Sequence, residues 1–375
     1  MATNPEAFAP GEYIQDEIDA RGWTQLDLAD ILGRPPQAVN EIINGKRAIT
    51  PETATALGEA FGTSAQLWMN LESAFRLARL GTQDSGVQRK SKLYRLAPIS
   101  EMQKRGWIEK TSNLDVLETQ VCRFFSIKNI DEPIELRHAA RKSTDYGSLT
   151  PSQMVWLCRL KRLAPSLHVQ GHFGMGKSAA LLDALSALRA EPEEVRHVPK
   201  VLASAGIRFA VLEQMASSKV DGVCLWLKAN EPVIGLTFRY DRIDWFWHTL
   251  MHEVRHLLNG DGRETPTIDT QLVGSDAQPQ SDKKDIEAEA DRFASSFLID
   301  PNELDSFIAR VHPLYSRAKI VGFAKRIGVH PGIVVGQLQH LGKIPYSHSR
   351  NMLVSVKEFV INSALTDGWG RSVAV

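Results

Sequence analysis

The feature that most constrains this chain is an apolar segment, residues 245–258, that carries two histidines and a glutamate. His252 and His256 are four residues apart, so on a helix their imidazoles share one face and can reach a single ion. Glu253 would project toward the same ion, where it could accept a proton from water. Because unpaired polar groups destabilise an apolar interior, a buried helix of this kind needs a metal or an equivalent partner.

A second amphipathic segment, residues 285–298, supplies carboxylates for the same ion. Its apolar residues recur at helical spacing, and Glu287 and Asp291, four residues apart, share a neighbouring face. One carboxylate can complete a site of two histidines and one glutamate. The other can accept a hydrogen bond from the free N–H of a ligating histidine. Together the two segments predict a Zn²⁺ site.

Further motifs surround these segments, at residues 205–209, 220–223, 232–241, 287–291 and 323–339. On these motifs, most of residues 200–345 resembles the ImmA/IrrE family of zinc metallopeptidases. The resemblance implies that His252, His256 and Glu287 bind the metal and that Glu253 is the catalytic base, with Asp291 left to orient a ligand. It also implies a gluzincin-like endopeptidase that cleaves a repressor. His248 departs from the family pattern, which has an aromatic residue there, and either fills the core or neighbours the site.

The first 80 residues are predicted to form five short helices, because glycines stand at the expected helix ends and prolines in the first turns. Residues 24–32 and 36–44 have the proportions of a helix-turn-helix, although any small helical bundle shows similar punctuation. Residues 10–80, most clearly 40–53, resemble HigA-type antitoxins of the Cro/C1 repressor-like (XRE) class. The resemblance implies operator binding, with these residues facing the major groove: Gln37, Ala38, Asn40 and Glu41. Lys46 and Arg47 would lie near phosphates.

The formal net charge of zero hides an uneven distribution. Residues 1–80 hold 6 basic and 11 acidic residues, whereas residues 81–164 hold 15 and 9. Non-specific DNA affinity comes from phosphate neutralisation, so the N-terminal segment brings little of it. We therefore expect a homodimer, or help from the basic segment that follows.

Residues 81–200 are predicted to form a basic helical linker domain that begins with a polar linker at 81–92. Helical patterns follow at 99–105, 114–125, 133–142, 153–163, 179–190 and 193–205. The basic residues either form a solvated face or contact nucleic acid or a partner. Residues 171–178 match a phosphate-binding pattern, but no strong hydrophobic strand precedes them, which favours a glycine-rich loop between helices.

From residue 206 the hydrophobic pattern alternates, which predicts strands at 207–212, 222–227 and 232–238. A small sheet leading into the metal helix is typical of zincins, and its edge strand could hold an extended peptide. The predicted fold is mainly α, with a small α+β zincin-like domain and an N-terminal five-helix Cro/C1-like bundle. The predicted domains are 1–80, 81–200, the peptidase at 201–310, and a C-terminal helical extension at 311–375.

Three widely spaced cysteines argue against a disulfide framework, and neither a signal peptide nor an apolar run of membrane-spanning length is found. We therefore expect a cytoplasmic protein without membrane contact. The predicted function is a DNA-binding regulator with a fused zinc endopeptidase whose partner or substrate is a toxin or a repressor. The alternative is a non-catalytic HigA-type antitoxin or autorepressor that binds operator DNA and a toxin, with zinc structural or vestigial.

Overall fold

The computed structural model describes residues 8–80, 86–134, 149–263, 266–270, 285–370 and 373. The chain divides into two compact units, Met1–Gln88 and Arg89–Val375. Among the described residues, no helix combines the length and apolar character needed to cross a membrane.

The first unit is a bundle of five helices, as predicted: α1 (Pro10–Arg21), α2 (Gln25–Ile31), α3 (Pro36–Ile43), α4 (Pro51–Phe61) and α5 (Ala65–Leu80). The side chain of Thr24 accepts a hydrogen bond at the start of α2, and Thr50 does the same for α4. Left-handed glycines end α1 and α4, where a side chain would be strained. Trp68, Leu28 and Ile18 are central to the bundle's apolar core.

The second unit contains a five-stranded mixed sheet: β1 (Arg208–Leu212), β2 (Val220–Trp226), β3 (Pro232–Leu236), β4 (Thr267–Thr270) and β5 (Leu365–Asp367). The strand order is β4-β2-β3-β1-β5. Strand β1 runs parallel to β3 and β5, whereas β2 runs antiparallel to β3 and β4. The three predicted strands are confirmed; β4 and β5 were not predicted.

Helices cover both faces of this sheet: α6 (Gly86–Leu96), α7 (Ile99–Lys104), α8 (Leu114–Phe125), α9 (Pro151–Leu163), α10 (Ser178–Ser186), α11 (Val198–Ser204), α12 (Ile243–Asn259), α13 (Asp285–Leu298), α14 (Pro301–Val311), α15 (Arg317–Ile327), α16 (Pro331–His340) and α17 (Lys357–Ile361). Val211 and Trp226 face one apolar core, which α12 and α13–α16 complete. Leu212 and Val223 face the other, which α7–α9 complete. Successive side chains of a strand point to opposite faces of the sheet. Because nearly all side chains of β1, β2 and β3 are buried, helices must cover both faces.

This arrangement differs from the predicted division of the chain. The predicted boundaries at 200 and 310 do not separate compact units, because the basic helical segment covers one face of the sheet and β5 extends it. Asp367 on β5 forms a buried ion pair with Arg159 on α9, which joins the two segments further. The segment after residue 88 is therefore part of the second unit's core.

Some local predictions were wrong. The predicted polar linker at 81–92 is helical from Gly86, in α6. The predicted helix at 193–205 is a 3₁₀ turn, Pro192–His197, followed by α11, because Pro199 disfavours a continuous helix through it.

Residues 167–174 contain no strand, as expected for the glycine-rich loop. Most of the predicted helix at 133–142, and much of the predicted loop at 259–284, lies outside the described residues.

Candidate functional site

Helix α12 carries the histidine pair of the second unit and is buried nearly all round. His252, Glu253 and His256 have no exposed surface. The helix packs against α13, which carries Glu287 and Asp291. The predicted ligands therefore come from two adjacent helices, and the structure brings all of them together.

Four donor atoms converge at this point, from His252, His256, Glu287 and Asp269 on β4. The two Nε2 atoms lie 2.9 Å apart, and Glu287 Oε2 lies 3.3 Å from the first and 3.5 Å from the second. Asp269 Oδ2 lies 3.5 Å from His252 Nε2 and 3.7 Å from His256 Nε2. Bonds of about 2.0–2.1 Å to a tetrahedral zinc would place ligand atoms about 3.4 Å apart. The donor set therefore matches zinc in both chemistry and spacing.

Each candidate histidine ligand donates a hydrogen bond to a carboxylate through the ring nitrogen that faces away from the shared centre. His252 donates through Nδ1 to Asp291 Oδ1 at 2.9 Å, and His256 donates through Nδ1 to Asp261 Oδ2 at 3.0 Å. This tautomer leaves each Nε2 lone pair directed at the shared centre. The predicted orienting role of Asp291 agrees with this geometry. Asp261 was not predicted to take part.

His248 lies beside this arrangement, one turn before His252. Its Nε2 is 3.4 Å from Asp291 Oδ1, so the same carboxylate faces two histidines. Of the two interpretations left open, the structure favours a neighbour of the site. Burial raises the pKa of Asp291, but hydrogen bonds from His248 and His252 outweigh it and lower that pKa below its usual range.

Glu253 is the least satisfied group of the site. Both of its carboxylate oxygens are buried and lack a hydrogen-bond partner. Strand β2 approaches so closely that a Cβ on Gly222 would lie 2.2 Å from Glu253 Oε1. Burial, followed by the charge of Asp269, raises the pKa of Glu253 well above its ordinary value. A buried acid without partners, beside converging donors, is typical of a functional site.

The histidines respond to the same concentration of negative charge. Burial lowers the pKa of His252, but Asp269 outweighs it, and the pKa lies well above its usual value. Burial likewise lowers the pKa of His256, and Glu287 reverses that shift. The carboxylates of Asp261, Asp269, Glu287 and Asp291 together favour positive charge at the centre, which a divalent cation would supply in place of protons. This electrostatic balance is a second reason why the residues fit a metal.

Helix α3 carries the predicted DNA-facing residues of the first unit. Gln37 and Asn40 are exposed, and Glu41 is partly exposed. Gln37 donates to Glu41 at 3.1 Å, and Asn40 donates to Gln25, at the start of α2, at 3.0 Å. The exposed polar side of α3 is therefore joined to α2 by side-chain amides. Gln25 was not among the predicted residues.

The other residues predicted to contact DNA, Lys46, Arg47 and Ala38, differ in their exposure to solvent. Lys46 and Arg47 are exposed in the turn after α3, and Arg47 lies 3.7 Å from the Glu41 carboxylate. Ala38, in contrast, is only 6% exposed. Ala38 shares the buried side of α3 with Val39 and Ile42, so its contact with the groove stays a prediction.

Comparison with known proteins locates one family on this chain. The helix-turn-helix family model HTH_3 matches residues 14–68. The uncharacterised HTH-type transcriptional regulator YddM of Escherichia coli (strain K12) is 35% identical over 78 residues, which are 21% of this chain and 80% of the relative. The chain belongs to the helix-turn-helix family.

Other similar proteins match a similar share of the chain. Virulence-associated protein I of Dichelobacter nodosus is 37% identical over 79 residues, covering 21% of this chain and 72% of the relative. Among solved structures, the Pseudomonas aeruginosa antitoxin HigA with the higBA promoter is 37% identical, covers 20% of this chain and 83% of that chain, and has a TM-score of 0.20. The family match ends at residue 68 and does not include the metal-binding candidates.

Proposed function

We propose that this helix-turn-helix protein is a DNA-binding regulator whose second unit is a zinc-dependent endopeptidase. The DNA-binding part rests on the family match and on the exposed polar side of α3. Gln37 and Asn40 have the amide groups that read adenine in the major groove, while Lys46 and Arg47 supply phosphate contacts. Because the first 80 residues are net acidic, we expect a dimer with modest affinity and a shallow salt dependence.

A binding titration on the gene's own promoter, at two salt concentrations, tests this part. Lys46→Ala with Arg47→Ala should weaken binding to all sequences alike and reduce the salt dependence. Asn40→Ala should instead reduce discrimination at particular base pairs by about 1–3 kcal/mol. Arg79→Ala, on α5, controls for the loss of a positive charge away from α3 and its following turn. If the full chain fails to bind the promoter at low salt, the DNA-binding proposal is refuted.

The single observation that carries the peptidase proposal is the buried Glu253, which has no hydrogen-bond partner beside four converging donor atoms. His252, His256 and Glu287 would hold the metal, and Asp291 and Asp261 would keep the imidazoles oriented. Zinc, when bound, supplies Lewis acidity and lowers the pKa of water. Glu253 would accept a proton from the attacking water and pass it to the departing amine. The resemblance to ImmA/IrrE peptidases supports a repressor or another partner regulatory protein as substrate.

Cleavage of a partner repressor or antitoxin, measured alongside zinc content, tests the peptidase proposal. Glu253→Gln should retain zinc and the fold but abolish cleavage, because the ligands remain and the proton acceptor is lost. Glu289→Gln is the matched control, because Glu289 lies on α13 and pairs with Arg255 outside the donor set. Equal cleavage by Glu253→Gln and the unmodified protein would contradict the mechanism.

One observation favours a second candidate function. Asp269 provides a fourth protein donor, and structural zinc sites have four protein ligands. In this alternative the protein is a HigA-type antitoxin or autorepressor that binds operator DNA and a toxin, and its zinc is structural. The zinc-loaded protein would then bind its partner without cleaving it.

A further inference from the structure

We propose that β4 is an internal latch, in which Asp269 closes the metal centre as a fourth ligand and the strand fills the edge of the sheet where a peptide would pair. The inference rests on the proposed zinc site. It explains how one chain can carry both a complete set of protein donors and a buried general base.

The first support is the position of the Asp269 side chain. It is only 4% exposed, and its Oδ2 lacks a hydrogen-bond partner although it lies 3.5 Å from His252 Nε2 and 3.7 Å from His256 Nε2. A buried carboxylate oxygen that makes no hydrogen bond but lies beside two ring nitrogens is in place to bind the same ion as they do. A catalytic zinc site keeps one coordination position open for water and substrate, and Asp269 lies where that position would be.

The second support is the pairing of β4 with the rest of the sheet. Strand β4 is an edge strand that runs antiparallel along β2, and its register places Asp269 opposite Gly222. A Cβ added at Gly222 would meet the Glu253 side chain, so the pairing places Asp269 opposite a residue that lies against the base. An extended peptide that binds by strand addition uses the free edge of a sheet. In this structure, the chain's own strand occupies that edge of β2.

The third support distinguishes a latch from a permanently closed site. Glu253 would have no role in a structural zinc site, yet its two buried and unpaired oxygens destabilise the fold. Strand β4 has four residues, and within the described sheet it pairs only with β2. A short strand paired on one side is held weakly compared with the central strands. Withdrawal of β4 would therefore open the coordination position and the sheet edge together.

The test uses Co²⁺ bound to the full chain as a spectroscopic probe, with acetohydroxamate as the competing ligand. In the unmodified protein Asp269 must leave before the hydroxamate can bind, so only an open minority is competent. Asp269→Ala should bind acetohydroxamate at least about tenfold more tightly, as expected if no more than about a tenth of the molecules are open. The visible spectrum of bound Co²⁺ should also change, because one carboxylate ligand is lost.

Two further variants complete the design. Asp269→Asn keeps the shape of the side chain and removes its charge, so it should bind the hydroxamate with intermediate affinity even if Asp269→Ala folds poorly. Glu289→Gln removes a carboxylate of α13 that pairs with Arg255 outside the donor set, so it should leave hydroxamate affinity as in the unmodified protein.

The latch is overturned if Co²⁺ binds all variants and acetohydroxamate affinity is unchanged by either substitution at Asp269. That result leaves the proposed zinc site intact. If the unmodified protein binds no Co²⁺ at all, the zinc site and the latch fail together, so the two failures are distinguishable.

Discussion

Gly222→Ala tests the tight contact between β2 and the metal helix. The added Cβ would lie 2.2 Å from Glu253 Oε1 and 2.9 Å from its Cδ and Cγ. Because Glu253 is fully buried, its side chain cannot swing into solvent, and strand or helix must shift. Overpacking of this kind lowers the free energy of unfolding by about 1–3 kcal/mol, and alanine recovers about 0.4–1 kcal/mol by restricting the unfolded chain. The expected net loss is about 1–2 kcal/mol.

Equilibrium urea unfolding of the metal-free full chain measures this loss, and a double-mutant cycle assigns its cause. Glu253→Ala removes the atoms that the new Cβ meets, so Gly222→Ala should lower the unfolding free energy by much less in that background. Gly235→Ala is the matched control, because its Cβ would meet Leu160 instead. Glu253→Ala should therefore not reduce the loss of unfolding free energy that Gly235→Ala causes. If the effects of Gly222→Ala and Glu253→Ala simply add, the predicted contact is absent.

Three further predictions concern the metal site, the core of the second unit and the helix-turn-helix. Asp291→Asn should weaken metal binding by about 10- to 100-fold in a chelator competition, and unchanged affinity would argue against its orienting role. Asp367→Ala leaves Arg159 buried without its ion-pair partner, so urea unfolding should show a loss of about 3–5 kcal/mol; a negligible loss would contradict the pairing. Thr24→Ala removes the α2 cap and should lower the free energy of local opening by about 1 kcal/mol, seen as faster amide exchange in α2; unchanged exchange would refute it.

The parts of the fold that sequence predicted well are those with local causes. Thr24 starts α2 through a side-chain hydrogen bond, and Gly22 ends α1 through its left-handed backbone conformation, so both act within a few residues. The spacing of His252 and His256 likewise follows from a single helix, which places their Nε2 atoms 2.9 Å apart.

The parts that were missed depend on contacts distant in sequence. Strands β4 and β5 have four and three residues, too few to show an alternating pattern. Asp269 lies in a stretch whose glycine, serine and threonine content is typical of a loop. Only the pairing of β4 with β2 brings it to His252. Nothing local marks Asp367 as the partner of Arg159, since 208 residues separate them.

Metal analysis of the purified full chain tests the proposed zinc site directly. We expect about one zinc per chain in the unmodified protein, bound by the two histidines of α12 and by Glu287 of α13. We also expect a His252→Ala, His256→Ala double variant to lose this zinc while promoter binding by the first unit is retained. An unmodified protein without zinc, even after incubation with the metal, would contradict the proposed site, as would full zinc content in the double variant.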